Sequence, residues 1–394
     1  MVVASAGSKA SLPDSGRFIA LDSFRGIAAL IVAAYHLHGG GPLLQSDFVQ
    51  SGATAVDFFF VLSGFVIAGS YGARLAAGFS VLRFMVLRLG RIYPLHIVLL
   101  AILVAQELAQ AYLAIPGASL RAPFSSGHTP GQLLLTLLLV QGLQTPITSD
   151  WSLQSWSISV ELWLYVLAAT SWHAFGRLAW IAALSAALVS GYLMEFRGAD
   201  LSTPFSPELL RGILGFGLGI VCWTIWSSPL QPRLGAAATV FEGLVISVSA
   251  CLMVTQDRLV IGQIVLDVSF AVLVLVFAGG TGWFSRQLQR KAFVLLGKIS
   301  YSLYMVHPLV MARGTDVFRM FGLGTVQWDP DGGQIRVITA SPLLADLLGI
   351  LLLCVALAAA WISWRCIESP ARAWSRRLAS PMGVARSEAV APTM

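Results

Sequence analysis

Residues 20–40, ALDSFRGIAALIVAAYHLHGG, decide the fold, because an apolar run as long as a membrane span carries Arg25 and His36 within it. On an α-helix the step of eleven residues from Arg25 to His36 corresponds to a rotation of about 1,100° and a rise of about 16 Å. Both side chains therefore share one face, and Asp22 lies within about 40° of it. Ionisable groups in a spanning helix usually face a protein-lined or watery interior. The stretch predicts a helix with a polar path along one face.

The composition of the whole chain agrees with a membrane location. Of 394 residues 57% are hydrophobic and 11% are charged, with a mean hydropathy of +0.78, whereas a soluble domain has about 25% charged residues. Apolar segments without alternating polarity, which predict helices, lie at 19–38, 54–72, 92–114, 131–147, 155–172, 177–194, 209–227, 237–254, 260–279, 292–313 and 342–365. We predict an all-α polytopic membrane protein with about ten transmembrane helices plus one short or re-entrant segment.

The positively charged loops predict the orientation of the helices. Lys and Arg cluster at 74–91, 286–298 and 372–377, whereas the loops at 39–53 and 148–154 have none. Both termini are then cytoplasmic, which eleven full spans would not allow, so we predict that the short segment 131–147 is re-entrant or a half-span. The predicted organisation is a cytoplasmic tail at 1–17, one membrane domain at 18–370 and a disordered cytoplasmic tail at 371–394. The expected location is the inner membrane of a bacterial-type cell.

Composition also excludes some partners. The net charge of +6 suits cytoplasmic loops, and no basic cluster lies on a soluble module, so we expect no nucleic acid. The cysteines have no metal-ligand spacing, and we expect no metal; they are Cys222, Cys251, Cys354 and Cys366.

Two candidate site residues lie near the expected outer surface. His36 suits a general base for a hydroxyl, because the unperturbed pKa of histidine is near neutrality, although a buried histidine can also simply bind a backbone carbonyl. Asp57 opens the second segment, where it could orient an imidazole or only favour the helix N-terminus. Ser63 lies about 9 Å deeper, beside Gly64, where close helix packing is the alternative to a site role.

Two later segments add polar side chains within the membrane. In 150–165, DWSLQSWSISVELWLY, Trp156 and Ser157 lie near the outer interface and Glu161 lies about 8 Å below Trp156, a depth at which a carboxylate is paired or functional. In 295–313, LLGKISYSLYMVHPLVMAR, Lys298 lies near the inner face and His307 about 14 Å further, with Tyr301 between them. His307 precedes Pro308, so anchoring of a helix kink is the alternative.

Three arginines lie at the cytoplasmic side, before Tyr93. Arg88 and Arg91 share a helix face and could bind phosphates in a bidentate manner, with Arg83 beside them. Topogenic charge is the strong alternative. The arginines suit a phosphate-bearing donor that enters from the cytoplasm and reacts in the outer half, where the sequence places His36, Asp57, Glu161 and His307.

Ordered motifs extend through the chain: LDSFRGIAALIVAAYH, VDFFFVLSGF, RLGRIYPLH, WSISVELWLY, GKISYSLYMVHP and WRCIESPAR. With them the chain resembles the acyltransferase 3 family over roughly residues 18–370. These are integral membrane enzymes that O-acylate cell-surface carbohydrates and other acceptors. The resemblance implies acyl-CoA, most often acetyl-CoA, as co-substrate, with its CoA end on the cytoplasmic side.

The resemblance also implies roles for individual residues. It makes Arg25 and His36 essential, gives Arg88 and Arg91 a part in holding CoA, and makes Glu161 a supporting residue. The family's usual pattern follows this glutamate with a second acid, whereas this chain has Leu162, so one carboxylate is available there. Some members carry a C-terminal hydrolase-like domain. This chain ends soon after residue 368, which implies action alone or with separate polysaccharide-assembly proteins.

We therefore predict a membrane enzyme that transfers a short acyl group, first of all acetyl, from acyl-CoA to a hydroxyl of a glycan or lipid-linked sugar. His36 would deprotonate the hydroxyl, Asp57 or Glu161 would orient it or stabilise its charge, and Arg25 would hold the thioester or CoA. The predicted phosphate-binding residues are Arg83, Arg88, Arg91 and Lys298. Further predicted site residues are Asp22, Ser63, Trp156, Ser157, Tyr301 and His307. The alternative is a transporter or flippase of a glycan or lipid that uses the same polar path.

Overall fold

The computed structural model describes residues 18–39, 41–113, 122–144, 151–152, 154–196, 206–328 and 334–379; the predicted tails at 1–17 and 380–394 lie outside the described residues. Numbered in chain order, the α-helices are α1 (Ile19–Tyr35), α2 (Asp47–Gln50), α3 (Ala55–Ile67), α4 (Ala73–Ala76), α5 (Val81–Leu113), α6 (Pro130–Leu137), α7 (Ser155–Phe175), α8 (Ala179–Phe196), α9 (Pro207–Trp226), α10 (Ala238–Thr255), α11 (Gly262–Ala278), α12 (Trp283–Leu288), α13 (Lys291–Met320), α14 (Pro342–Ser363) and α15 (Ser369–Ala379). Two π-helical turns, Ala68–Gly72 and Trp364–Glu368, join α3 to α4 and α14 to α15.

Helices of membrane-spanning length dominate the described part of the chain. Seven helical stretches within it are long and apolar enough to cross a membrane: Gly52–Ala76, Val81–Leu113, Ser155–Phe196, Pro207–Trp226, Gly235–Arg258, Lys291–Met320 and Pro342–Ala379. The 42-residue stretch among them contains both α7 and α8, which meet at Gly176 with a φ of +54°. The predicted helical membrane architecture is confirmed. The number of about ten crossings stays a prediction, because α1 and α11 have only 17 residues each.

The segment predicted to be short or re-entrant begins with α6. This helix has eight residues, about 12 Å, and starts with a capping box in which Thr129 and Gln132 bind each other's backbone N–H groups. The chain then turns at Leu139, which adopts a φ of +53° although it is not a glycine. The Leu139 carbonyl accepts hydrogen bonds from Ser159 Oγ at 2.6 Å and Trp163 Nε1 at 3.0 Å. Contacts with α7 thus hold this turn in place, and residues 145–147 of the predicted segment lie outside the described residues.

A small sheet was not predicted. It consists of β1 (His38–Gly39), β2 (Gly324–Trp328) and β3 (Gln334–Ile338), with β3 in the middle, parallel to β1 and antiparallel to β2. The pairing joins the end of α1 to the chain that follows α13. Strands this short have no hydropathy pattern of their own, so sequence periodicity could not indicate them.

The chain beyond residue 370 also differs from the prediction. Residues Ser369–Ala379 form α15, which packs against α5, whereas a disordered tail was predicted from residue 371. Ser375 is buried there, against Gly90 of α5. A Cβ on Gly90 would collide with the Ser375 side chain, so the small residue permits this contact.

The closest helix contact relevant to the site joins α1 to α13. A Cβ at Gly26 would lie 2.6 Å from the backbone nitrogen of Gly297, and a Cβ at Gly297 would overlap the Asp22 carbonyl. Small residues are the usual means of such backbone approach between membrane helices. The crossing sets the depth of Arg25 relative to α13.

We expect Gly297→Leu to lower the melting temperature and to reduce the yield of monodisperse protein, because overpacking of a tight contact costs about 1–3 kcal/mol or more. Gly131→Leu is the matched control, since Gly131 is exposed on α6 and its Cβ would only make an ordinary contact, 4.0 Å from Thr129 Oγ1. Thermal unfolding in detergent measures both variants. Equal stability of the two proteins would show that the α1–α13 contact tolerates a side chain.

Candidate active site

A polar cavity lies inside the helical bundle, between α1, α3, α5, α7 and α13. Together with the open solvent space at its mouth it encloses about 710 Å³. Apolar side chains of α3, such as Phe59 and Phe60, line one wall. The polar lining residues are Arg25, Ser63, Arg88, Arg91, Ser157, Glu161, Tyr165, Ser300, Tyr301 and Tyr304. Seven of these were predicted as site residues, so the structure brings half of the predicted set together.

The crossing of α1 and α13 holds Arg25 in place. Arg25 Nε donates to Ser300 Oγ at 2.9 Å, and an Nη donates to the Gly297 carbonyl at 3.1 Å. Asp22, one turn earlier, lies 3.5 Å from the guanidinium. Because these partners leave part of the guanidinium facing the cavity, Arg25 can still bind an anionic group there.

Arg88 and Arg91 of α5 approach the cavity from the other side. Arg88 donates from an Nη to Tyr71 Oη at 3.0 Å, while its Nε is buried and has no hydrogen-bond partner. A buried unpaired N–H of a charged group is costly unless a ligand satisfies it. The lining contains three guanidinium groups but one carboxylate, that of Glu161. This excess of positive charge suits a polyanionic ligand.

Glu161 of α7 lies beside the arginines and binds hydroxyl groups. Ser63 Oγ of α3 and Tyr165 Oη both donate to Glu161 Oε1, and the two hydroxyls are 3.2 Å apart. Ser63 therefore has a polar role in the structure in addition to its place next to Gly64.

Two further predicted residues, Ser157 and Tyr301, have hydrogen bonds that define the walls together with Tyr304. Ser157 Oγ and Tyr304 Oη are 2.7 Å apart, and Tyr304 Oη also donates to the Gln154 carbonyl at 3.1 Å. Tyr301 Oη donates to the backbone carbonyl of Ile92, which connects α13 to α5. These bonds fix the tyrosines that separate the cavity from the next group of residues.

His36 forms a pair with His307 beyond Tyr304. His36 Nδ1 lies 2.9 Å from the Val32 carbonyl and 3.3 Å from His307 Nε2, and His307 Nδ1 lies 3.2 Å from the Leu303 carbonyl. A carbonyl only accepts, so each Nδ1 carries the proton. It follows that His307 Nε2 accepts from His36 Nδ1, and that the free lone pair of His36 is on Nε2. In this arrangement His36 Nε2 is the ring nitrogen that could accept a proton from another molecule.

The pair lies next to the cavity but does not line it. The rings of Tyr304 and His307 are 5.9 Å apart, and Tyr304 is a lining residue. His307 is fully buried, whereas His36 is partly exposed. A molecule in the cavity would therefore reach the pair past the Tyr304 side chain.

The prediction that Asp57 orients His36 is wrong. Asp57 is fully buried and accepts two hydrogen bonds from Arg211 of α9, at 3.1 Å from Nε and 2.9 Å from Nη2. Arg211 also stacks on Trp156, with 5.5 Å between its guanidinium carbon and the ring centroid. Arg211 lies near the start of the apolar segment 209–227, and no role was predicted for it from the sequence. The two predicted residues Asp57 and Trp156 thus both contact Arg211 and lie outside the cavity lining.

Two other predicted residues are not at the cavity either. Arg83 and Lys298 are exposed and are absent from the lining, so the structure does not support their assignment to donor binding. Arg83 lies about one and a half turns before Arg88, which turns it away from the cavity.

Glu368 was not among the residues predicted from the sequence. This carboxylate is buried in the second π-helical turn, where it accepts from Ser302 Oγ at 2.8 Å and lies 3.4 Å from an Arg372 Nη. The motif WRCIESPAR was visible in the sequence. Nothing in its spacing indicated the π-helical turn that points Glu368 towards α13.

We expect Arg211→Met to destabilise the protein by about 3–5 kcal/mol, because it leaves the Asp57 carboxylate buried and unpaired. The double variant Asp57→Leu/Arg211→Met should recover most of that loss, since both charges are then removed together. Chemical unfolding of the three proteins measures the coupling. If the double variant were less stable than Arg211→Met, Asp57 would have another partner than Arg211.

These features define the class of the protein as a multi-pass membrane protein with a polar, arginine-lined cavity inside its helical bundle. The chain belongs to the acyltransferase 3 family, because residues 18–365 match the acyltransferase domain of that family. It is therefore a membrane acyltransferase, as its motifs predicted.

Two relatives support this assignment. Acyltransferase MdmB of Streptomyces mycarofaciens is 28% identical over 397 residues, an alignment that covers 90% of this chain and 91% of the relative. Protein 2 in picA locus of Rhizobium radiobacter is 36% identical over 129 residues, which cover 31% of this chain and 61% of the relative. A comparison with solved structures gave no match.

Proposed function

We propose that this protein transfers a short acyl group, first of all acetyl, from acyl-CoA to a hydroxyl group of a glycan or lipid-linked sugar. One observation carries the proposal: an arginine-lined cavity with an unpaired Arg88 Nε is bounded by Tyr304, whose ring lies 5.9 Å from that of His307, the partner of the His36 imidazole. A phosphate-rich donor and a base for a hydroxyl are the two requirements of such a transfer. The family's activity on cell-surface carbohydrates supports the choice of acceptor.

The phosphates of the donor would bind Arg88, Arg91 and Arg25. Bidentate arginine–phosphate pairs are strong and geometrically specific, and the cavity has more positive than negative side chains to receive them. The pantetheine arm would then extend along the cavity towards Tyr304, because α1 itself spans about 16 Å from Arg25 to His36.

His36 would act on the acceptor. Its Nε2 takes the proton from the acceptor hydroxyl while that oxygen attacks the thioester carbonyl carbon. The carbon–sulfur bond breaks, and the CoA thiolate receives the proton that His36 carried. The products are the acyl ester and free CoA thiol, and His36 returns to its neutral form. The buried His307 Nε2 would accept the Nδ1 hydrogen bond throughout and so stabilise the imidazolium.

The arrangement of the chain in the membrane belongs to the same proposal. The end of the bundle with Arg88 would face the cytoplasm, where acyl-CoA is made, and both termini would lie there, as the charge of the loops favours. In a bacterial-type cell this is the inner membrane. Membrane lipid would surround the protein, and separate polysaccharide-assembly proteins could deliver or receive the glycan.

Binding of the donor can be tested without a known acceptor. A ligand that binds only the folded state raises the melting temperature in proportion to its saturation, so acetyl-CoA and CoA should each stabilise the purified protein. Adenosine, which lacks phosphate groups, should have a much smaller effect. Equal melting temperatures with and without acetyl-CoA at millimolar concentration would contradict donor binding and favour a transporter.

We expect His307→Phe to lower kcat by about 10- to 100-fold with little change in the KM for acyl-CoA, because the variant removes only the group that orients the base. His307→Gln should restore part of the rate, since its side-chain carbonyl can accept from His36 Nδ1. Steady-state kinetics with both variants measures this. If the His307→Gln and His307→Phe variants had the same low kcat and the same reduced stability, His307 would contribute only to packing.

A further inference from the structure

A group of aromatic rings and arginines lies at the rim of the cavity, next to Arg88. The guanidinium carbon of Arg74 is 4.2 Å from the centroid of the Phe79 ring and 5.2 Å from that of Tyr71. Arg88 approaches the same Tyr71 ring, at 4.8 Å, and donates to its hydroxyl. We call Tyr71, Arg74 and Phe79 the rim stack. Through Arg88 it is continuous with the cavity lining.

The local backbone brings these three residues together. Tyr71 lies in the π-helical turn between α3 and α4, and Arg74 lies in α4. The chain then reverses at Gly78, which has a φ of +90°, a conformation that favours glycine. Phe79 N donates to the Arg74 carbonyl at 2.9 Å, so the residue after the turn is held beside Arg74. The stack is therefore built by the chain rather than formed by chance between mobile side chains.

Arg74 is exposed although it rests on two aromatic rings. Within the described residues no carboxylate lies at ion-pair distance from it. A guanidinium that is held flat against aromatic rings leaves its other face open, and a planar base can stack on that face. A surface arginine that only increases solubility does not need to be held against aromatic rings.

The position of the rim stack matches one part of the donor. The parts of acyl-CoA can be placed in order along the site, with the thioester near Tyr304 and the phosphates at Arg88 and Arg91. The group that follows the phosphates is the adenosine, and it would then lie outside Arg88, where the rim stack is. Base stacking on aromatic and arginine side chains is worth about a 5- to 150-fold difference in binding per base.

We propose that the rim stack binds the adenine ring of the acyl-CoA donor, with the base stacked on the open face of Arg74. This inference rests on the proposed use of acyl-CoA. It assigns Tyr71, Arg74 and Phe79 to donor recognition, whereas Arg25, Arg88 and Arg91 hold the phosphates. The rim stack would account for selection of a nucleotide-bearing thioester over a simpler one.

The test compares two donors, acetyl-CoA and S-acetyl-4′-phosphopantetheine, of which the second lacks the adenosine 3′,5′-bisphosphate part. Arg74→Ala should raise the KM for acetyl-CoA about tenfold and leave kcat unchanged, with no change in the KM for the truncated donor. Arg74→Lys keeps the positive charge but lacks the planar guanidinium group. It should therefore raise the KM for acetyl-CoA as Arg74→Ala does. Arg83→Ala, an exposed arginine outside the cavity, is the matched control and should resemble the wild type.

Adenosine 3′,5′-bisphosphate provides a second readout, because it should raise the melting temperature of the wild type more than that of Arg74→Ala. Equal effects of Arg74→Ala on both donors, wild-type behaviour of Arg74→Lys, or equal stabilisation by the bisphosphate would overturn the assignment. A wild-type protein that used both donors while Arg74→Ala had no effect would overturn this inference alone. Failure of the wild type to use or bind either donor would overturn the proposed function as well.

Discussion

Replacement of His36 by alanine is expected to lower kcat for acyl transfer by about 100- to 10,000-fold, the usual contribution of a positioned general base. The reason is geometric: the proton on Nδ1 is held by the Val32 carbonyl and by His307, so Nε2 is the nitrogen available to a hydroxyl. Steady-state transfer of labelled acetyl groups measures the loss. The melting temperature should change little, because His36 is only partly buried.

His38 provides the matched control for this variant. It lies two residues further along the chain, in β1, where it pairs with Val337 of β3. His38→Ala should therefore keep a rate within a few-fold of the wild type. If His36→Ala retained the wild-type rate, or if both variants lost activity equally, the role given to His36 would be wrong.

The double variant Arg88→Ala/Arg91→Ala should raise the KM for acyl-CoA by at least about 100-fold. Each lost hydrogen-bonded charge pair is worth about 1.5–3 kcal/mol, and tenfold in binding corresponds to about 1.4 kcal/mol. Thermal stability should be unchanged or higher, because removing two positive charges relieves their repulsion from Arg25 in the same cavity. Titration of acetyl-CoA in transfer assays gives the KM.

Arg83→Ala is the control for the arginines of α5, since Arg83 is exposed and outside the cavity. It should leave the KM within about twofold of the wild type, as is usual for an exposed surface charge. An equal rise in KM for Arg83→Ala and for the double variant would mean that general surface charge, rather than the cavity, attracts the donor. An unchanged KM in the double variant would place the donor elsewhere.

Much of the cavity was predictable because it follows helix geometry. The interval from Arg25 to His36 places both on one stripe of α1, and the structure has Arg25 in the cavity and His36 beside it. The three-residue interval of Arg88 and Arg91 likewise directs both to one face, and both line the cavity. Local periodicity carries this information, since side chains three, four or eleven residues apart must share a helix face.

Partners between distant helices were not predictable in the same way. Asp57 was expected near His36, whereas its carboxylate binds Arg211, 154 residues later in the sequence. The hydropathy pattern indicates that a buried carboxylate needs a partner. It does not indicate which helix supplies that partner. Tertiary packing also determines the pairing of His36 with His307, which are 271 residues apart, and the pairing of the strands in the three-stranded sheet. Where helices meet, the identity of the neighbour depends on close contacts such as that of Gly26 with Gly297.

Consumption of the thioester is the most direct test of the account. Purified protein is incubated with acetyl-CoA labelled in the acetyl group and with membranes that contain the native acceptor, and both free CoA thiol and label in the glycan and lipid fractions are measured. We predict one thiol released for each labelled ester formed, with both products lost in His36→Ala. Label that stays on CoA while a glycan or lipid moves across the membrane would contradict acyl transfer and show a transporter instead.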